Sequence, residues 1–448
     1  MSHLVALAPV APIGAHQLLV FLLQVGSLLL LALLLGRLAA KAGMPAIVGE
    51  LCAGVLFGPS VFAHVSPAFY HWLLPHDPAQ FHLLDAAGQL GVLLLVGLTG
   101  IYMDLGLVRR RGATAMRISV AGLIIPLGLG VTAGFLLPAS MIPGSAQRST
   151  FALFLGVALA VSAIPVIAKT LMDLRLLHRN VGQLTLCAVM VDDIVGWLLL
   201  SIVAAMATSG VRAGHVALSI GYLALIGAVA LLGRPFLRAA LRAADRSDRV
   251  RNGGATVALV TTLILLSAGA TQAMGLEAVF GAFVCGLVIS SCRTLDPARL
   301  APLRTVVMAF LAPLFFATAG LRMDLTALAK PTVLLVGLVI LAAAIAGKFV
   351  GAYLGARLSR ISRWEALAVG AGMNARGVIE VIIAMVGLRL GVLSTEMYTI
   401  IILVAIVTSL MAPPVLRFAM GRVEHTAEER LRAGAYDVGQ IGADNSAT

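Results

Sequence analysis

Gly182–Ala204 reads GQLTLCAVMVDDIVGWLLLSIVA, an apolar run of helical length with two adjacent carboxylates, Asp192 and Asp193, near its middle. In hydrocarbon even one ionised group costs at least ~2.5–3.5 kcal/mol unless it faces a partner or a water-filled cavity. An adjacent pair there is therefore a functional feature before it is anything else. Neighbouring residues project about 100° apart on a helix, so one carboxylate can face a cavity while the other faces a partner helix.

The rest of the chain places this run in a membrane. Its 448 residues are 60% hydrophobic and only 12% charged, with a mean hydropathy of +1.02, whereas soluble domains carry about 25% charged residues. Runs of about 20 apolar residues predict thirteen spans, at 17–36, 45–63, 83–102, 113–136, 150–172, 182–207, 214–241, 253–273, 276–292, 303–321, 331–357, 364–388 and 396–418. Of the 32 basic residues, 24 fall on segments that follow odd-numbered spans, which sets the N-terminal segment 1–16 outside and the C-terminus in the cytoplasm. The net charge of +12 thus belongs to cytoplasmic loops and not to a nucleic-acid surface. The longest of these loops, Arg234–Arg251, reads as an anchor to the membrane surface.

The first span lacks the basic flank and short apolar core of a cleaved leader and reads as retained. Cys52, Cys187, Cys285 and Cys292 show neither disulfide nor metal spacing and read as small core residues. The tail 419–448 is short and polar and reads as disordered. Taking the seventh span as a linker leaves two sets of six with opposite orientation, the inverted repeat from which many secondary transporters are built.

Other groups interrupt the apolar runs. Lys348 lies deep in the eleventh span and is the obvious partner for one aspartate. Ser162 and Pro165 stand mid-span in FALFLGVALAVSAIPVIAKTLMDL; proline removes a backbone donor and frees carbonyls, which are natural cation ligands in a wet cavity. In the twelfth span, GMNARGVIEVIIAMVGL brings Asn374, Arg376 and Glu380 into an apolar run, and Arg376 and Glu380 are spaced to pair with each other. Two interrupted helices in corresponding places are the best pointer to a binding site at a repeat interface. Glu50 reads as a partner of Arg37 or Lys41, Lys169 and Asp173 as a surface pair, and the outer loop His64–His82 as solvated.

Together VGELCAGVLFGPS, LLLVGLTGIYMDL, AVSAIPVIAKTLMD, VDDIVGW, GAFVCGLVIS, PLFFATAGLRMDL and GMNARGVIEVIIAMVGLRLGVLS resemble the monovalent cation:proton antiporter-2 family over residues 17–418. The last segment is more similar to the branch that includes the plant cation/proton exchangers than to the glutathione-gated potassium efflux systems. One departure is Thr99 in GLTG, where many relatives read GLE, which removes an acidic group at that position. The resemblance implies an all-α polytopic membrane protein with the inverted-repeat sodium/proton antiporter fold and two crossing discontinuous helices. It implies exchange of a monovalent cation, sodium or potassium, for protons by electrogenic alternating access at the inner (plasma) membrane, in a homodimer without enzymatic activity or cofactor.

By the same resemblance Asp193 is the essential carboxylate for cation and proton, the transported cation being its only metal. Asp192 pairs with Lys348, a candidate proton carrier, while Ser162, Pro165, Asn374, Arg376 and Glu380 line the discontinuous helices and cavity. Core helices 113–207 and 331–418 would move against scaffold helices 17–102 and 253–321, joined by the linker 214–241. The tail is too short for the large regulatory domain of many relatives. The rival within transporters is an organic-anion symporter of the same architecture, less suited to paired carboxylates with one lysine. An intramembrane aspartyl protease needs its aspartates on different helices, and an ion channel needs a selectivity filter that is not visible here.

Overall fold

In hydrocarbon the backbone satisfies its polar groups only within helices or closed barrels, and the apolar runs of this chain fold accordingly. A computed structural model describes residues 13–424 apart from 76, 104, 163, 177–178, 210–212, 252–253 and 293–296, and in addition 426 and 429. In chain order the helices are α1 (Ala15–Lys41), α2 (Ala46–Phe57), α3 (Phe62–Val65), α4 (Pro67–Leu73), α5 (Pro78–Tyr102), α6 (Leu105–Leu136), α7 (Arg148–Ala160), α8 (Ile164–Asp173), α9 (Asn180–Ser209), α10 (Ala213–Arg251), α11 (Ala255–Ala273), α12 (Ala278–Cys292), α13 (Ala301–Val306), α14 (Ala312–Leu321), α15 (Pro331–Leu358), α16 (Arg363–Met373), α17 (Val378–Arg389) and α18 (Thr395–Met420). No strand occurs among the described residues. Each predicted span coincides with a helix or with a broken helix pair. By length and apolarity, nine helices among the described residues qualify as membrane crossings, and a tenth if α16 and α17, bent by 41°, count as one. The protein is a multi-pass, all-helical membrane protein.

Two groups of helices pack within themselves: α1, α2, α5, α11, α12 and α14 in one, and α6, α7, α9, α15, α16, α17 and α18 in the other. Small residues set the closest crossings. A Cβ added at Gly54 would lie 1.9 Å from the Ala317 carbonyl, and one at Gly320 would lie 2.1 Å from that of Leu51, so α2 and α14 touch backbone to backbone. Between α6 and α7, a Cβ at Gly130 would fall 2.6 Å from Gly156 Cα.

Three expectations change. The Arg234–Arg251 stretch is no loop: α10 continues through it to Arg251, because its Ala, Leu and Arg content favours helix after the membrane run has ended. Segment 64–82 is not simply solvated. It holds the end of α3 and all of α4, where Phe69 stacks on Trp72 at 5.7 Å and meets Phe62 edge-on at 5.6 Å, and its Phe69 and Trp72 are half-exposed in the manner of interfacial aromatics. Among the described residues Glu50 makes no ion pair with Arg37 or Lys41; its carboxylate lies instead against the bare face of Gly36. The disordered-tail reading falls mostly outside the described residues, and Glu429 within the tail is buried.

Candidate functional site

The site forms where two broken helices meet. The first break, at Val161–Ser162, separates α7 from α8, and the second, at Asn374–Gly377, separates α16 from α17. Ser162 joins them by donating to the Met373 carbonyl at 2.8 Å. Pro165 falls in the first turn of α8, where its missing N–H is an orphan anyway. Its side chain lies outside the described residues, as do those of Lys169 and Asp173, on which the surface-pair reading fell.

Opening a helix leaves its last carbonyls without partners. Here cationic side chains take them. Arg376 donates to the carbonyls of Ala158 at 3.3 Å and Leu159 at 2.7 Å, and across to Ala344 of α15 at 3.0 Å. Lys348 donates to Ala160 at 2.5 Å. Positive charge thus stands at the negative end of α7, while Glu380, in the first turn of α17, stands at a positive one. These three freed carbonyls, read from sequence as cation ligands, are occupied by the protein's own cations. Glu380 accepts from Arg376 at 3.2 Å, the i, i+4 pair that the spacing anticipates.

The two aspartates on α9 have unlike surroundings although both are completely buried. Asp192 accepts from Ser119 of α6 at 2.5 Å, from Ser162 at 3.2 Å, and from Lys348 of α15, with which it forms an ion pair. The single Ser162 proton serves either Asp192 or Met373 at one time. Asp193 has no hydrogen-bond partner for either carboxylate oxygen among the described residues. Both polar atoms of Asn374, at the second break, are likewise unpartnered, as is one Glu380 oxygen. No cluster of three His, Cys, Asp or Glu suited to a resident metal occurs among the described residues.

The charges of the site can be counted. Lys348 cancels Asp192 and Arg376 cancels Glu380, so among the described residues Asp193 is the one carboxylate there without a cationic partner. The structure brings Asp192, Asp193, Lys348, Ser162, Asn374, Arg376 and Glu380 to the two breaks. Thr99, by contrast, turns its hydroxyl back onto the Leu95 carbonyl at 2.9 Å.

Sequence reasoning missed Ser119 and Ser409. The first holds Asp192; the second donates to the Arg376 carbonyl and ties the second break to α18. A lone serine in a membrane helix is too common to signal such a role.

Residues 27–421 match the family described as sodium/hydrogen exchanger, transmembrane. The chain is 32% identical to the Na(+)/H(+) antiporter NhaS4 of Synechocystis sp. over 90% of this chain and 97% of that one. It is 31% identical to cation/H(+) antiporter 20 of Arabidopsis thaliana over 83% of this chain but 45% of that protein, so it spans about half the length of this plant relative. In fold it is similar to the sodium proton antiporter MjNhaP1 of Methanocaldococcus jannaschii, with a TM-score of 0.68 at 17% identity over 91% of this chain and 99% of the other.

Proposed function

Because the chain belongs to the family of transmembrane sodium/hydrogen exchangers, we propose that it exchanges a monovalent cation for protons by alternating access, with Asp193 as the carboxylate for which the two compete. The observation that carries this reading is the contrast between the aspartates. Asp192 is neutralised by Lys348 and held by two serines, whereas Asp193 is buried beside it with neither a cation nor a donor. A buried carboxylate in that condition is stabilised by taking a proton or a cation.

Charge then couples the two fluxes. With either ligand on Asp193 the site is neutral; empty, it carries one uncompensated charge and passes the apolar scaffold at a higher cost. Electrogenic exchange departs from that neutrality through a second titrating group, and Lys348 fills that role: a cation drawn partly onto Asp192 releases the lysine to give up its proton. The cation-loaded site then crosses with one net negative charge and the proton-loaded site crosses neutral. Lys348 and Arg376 are both committed to carboxylates, which leaves no free cationic group at the breaks among the described residues for an organic anion and disfavours the symporter alternative.

The same reading sets the tail's side of the membrane in the cytoplasm, the N-terminus outside and the chain in the plasma membrane as a homodimer. The group holding α6, α7, α9, α15, α16, α17 and α18 would move against the other.

The deciding experiment is cation-driven proton efflux from proteoliposomes with a lumenal pH dye, comparing sodium, potassium, lithium and rubidium, wild type beside Asp193→Asn. Efflux with one or two of these cations, absent in the variant, is expected. Substantial exchange by a folded Asp193→Asn protein would falsify the assignment.

A further inference from the structure

Asp193 is not the last polar residue on its face of α9. Trp197 and Ser201 follow at one and two helical turns toward Ser209 and share that face. Trp197 is 1% exposed and Ser201 0%, yet neither Trp197 Nε1 nor Ser201 Oγ has a hydrogen-bond partner among the described residues. The helix interior alone does not account for this. Thr185 and Thr208 on the same helix donate to the Val181 and Ala204 carbonyls one turn back, the usual resort of a hydroxyl in such a position. With the two oxygens of Asp193, four orphaned polar atoms line one face over roughly 12 Å of helix.

That face meets the other helix group. Trp197 packs on Phe283 of α12 with ring centroids 5.9 Å apart. Six residues earlier in the chain, Glu277 at the head of α12 takes Arg389 from the end of α17 at 2.6 Å. The start of α12 therefore touches the Asp193-bearing group twice, by rings at depth and by an ion pair at the rim. On the opposite side, where Arg179 beside α9 holds the carbonyls of Val423 and Glu424 in the tail, a cavity of about 230 Å³ opens between the α1–α2 turn and α18.

We infer that the Trp197–Ser201 face of α9 is the access route to Asp193 from the side away from the tail. The Ser201 hydroxyl is a positioning group that accepts from water on the passing ion, Trp197 N–H donates to further water along the route, and the Trp197–Phe283 and Glu277–Arg389 contacts close the route. In this structure both contacts are made and the route is shut. The inference rests on the exchange reading for the identity of the passing ion, but the position of the route is tested without it.

The test is sided labelling of Ser201→Cys with a membrane-impermeant thiosulfonate, in protein whose four native cysteines are replaced and whose orientation is read from a tag on the tail. Labelling is expected only from the side away from the tag, and Glu277→Gln is expected to speed it roughly fivefold, the factor for one lost interaction of ordinary strength. Labelling from the tag side, or none in protein that still exchanges, overturns the inference; sided labelling without any exchange overturns the functional reading instead.

Trp197→Phe keeps the ring on Phe283 and removes only the N–H. It is expected to raise the apparent KM for the cation on the far side several-fold while the tag-side KM and the maximal rate stay near wild type. Equal changes on both sides would mark Trp197 as structural, and this second measurement stands if Ser201→Cys fails to assemble.

Discussion

Lys348 serves two acceptors at once, the Asp192 carboxylate and the Ala160 carbonyl at the end of α7. Removing one partner of a buried ion pair costs ~3–5 kcal/mol because the other charge stays behind. Lys348→Gln is therefore expected to lower the thermal unfolding midpoint of the detergent-purified protein sharply, and adding Asp192→Asn is expected to restore most of the loss. A double variant no more stable than the single one would show that the pair is not what holds the break. Asp193 predicts the reverse, since its carboxylate has no hydrogen-bond partner to lose. Asp193→Asn should hold or raise stability, within ~1 kcal/mol, while exchange is lost; unfolding curves and transport measured on one preparation separate the two effects.

The broken helices depend on Arg376, whose planar fork reaches three carbonyls on two helices and the Glu380 carboxylate together. A lysine carries the same charge but cannot span those acceptors. Arg376→Lys should cost roughly 2–4 kcal/mol, read as a fall in unfolding midpoint together with loss of exchange; retention of both would leave charge alone as the requirement.

The crossing of α2 and α14 depends on having no side chain at all. Any Cβ at Gly54 overlaps the Ala317 carbonyl at 1.9 Å, whereas one at Gly26 meets nothing within 4 Å. Gly54→Val is expected to abolish the monodisperse peak in size-exclusion chromatography, and Gly26→Ala to leave it unchanged.

The two ends of the fold are tied differently. On the tail's side, Glu429 forms an ion pair with Arg179 at 3.3 Å and accepts from the Asn180 amide at 2.7 Å, so the tail is fastened to the start of the helix that carries both aspartates. Burial opposes the charge of Glu429, but the Asn180 and Thr426 amides and the Arg179 guanidinium outweigh it and hold the carboxyl below its usual 4.5. A depressed value means that docking is at full strength above 4.5 and is lost as pH falls through the lowered value. Hydrogen exchange of the 421–429 segment should therefore be slow at neutral pH and quicken only in acid, and Glu429→Gln should make it fast at neutral pH. Fast exchange in wild type at pH 7 would contradict the docking.

Much of this was legible in the amino-acid sequence. Apolar runs of membrane length had to become helices, since hydrocarbon offers their backbones no other partner, and among the described residues each predicted stretch coincides with a helix or a broken helix pair. The DD pair at 192–193, the polar interruptions at 162 and 374–380 and the lone Lys348 stood out because polar groups in such runs are costly.

Other matters depended on residues far apart in the chain. Lys348 is 156 positions from Asp192, and only their apposition leaves Asp193 as the carboxylate without a partner. The carbonyls opened at the first break are closed by an arginine 217 and 218 positions away, which spacing cannot foretell. Glu50, near two basic residues in sequence, pairs with neither because α1 turns Gly36 toward it. Local composition settles where a chain must be helical and where it is interrupted. Which buried charge is compensated is settled by the sum of contacts from helices that meet only after folding.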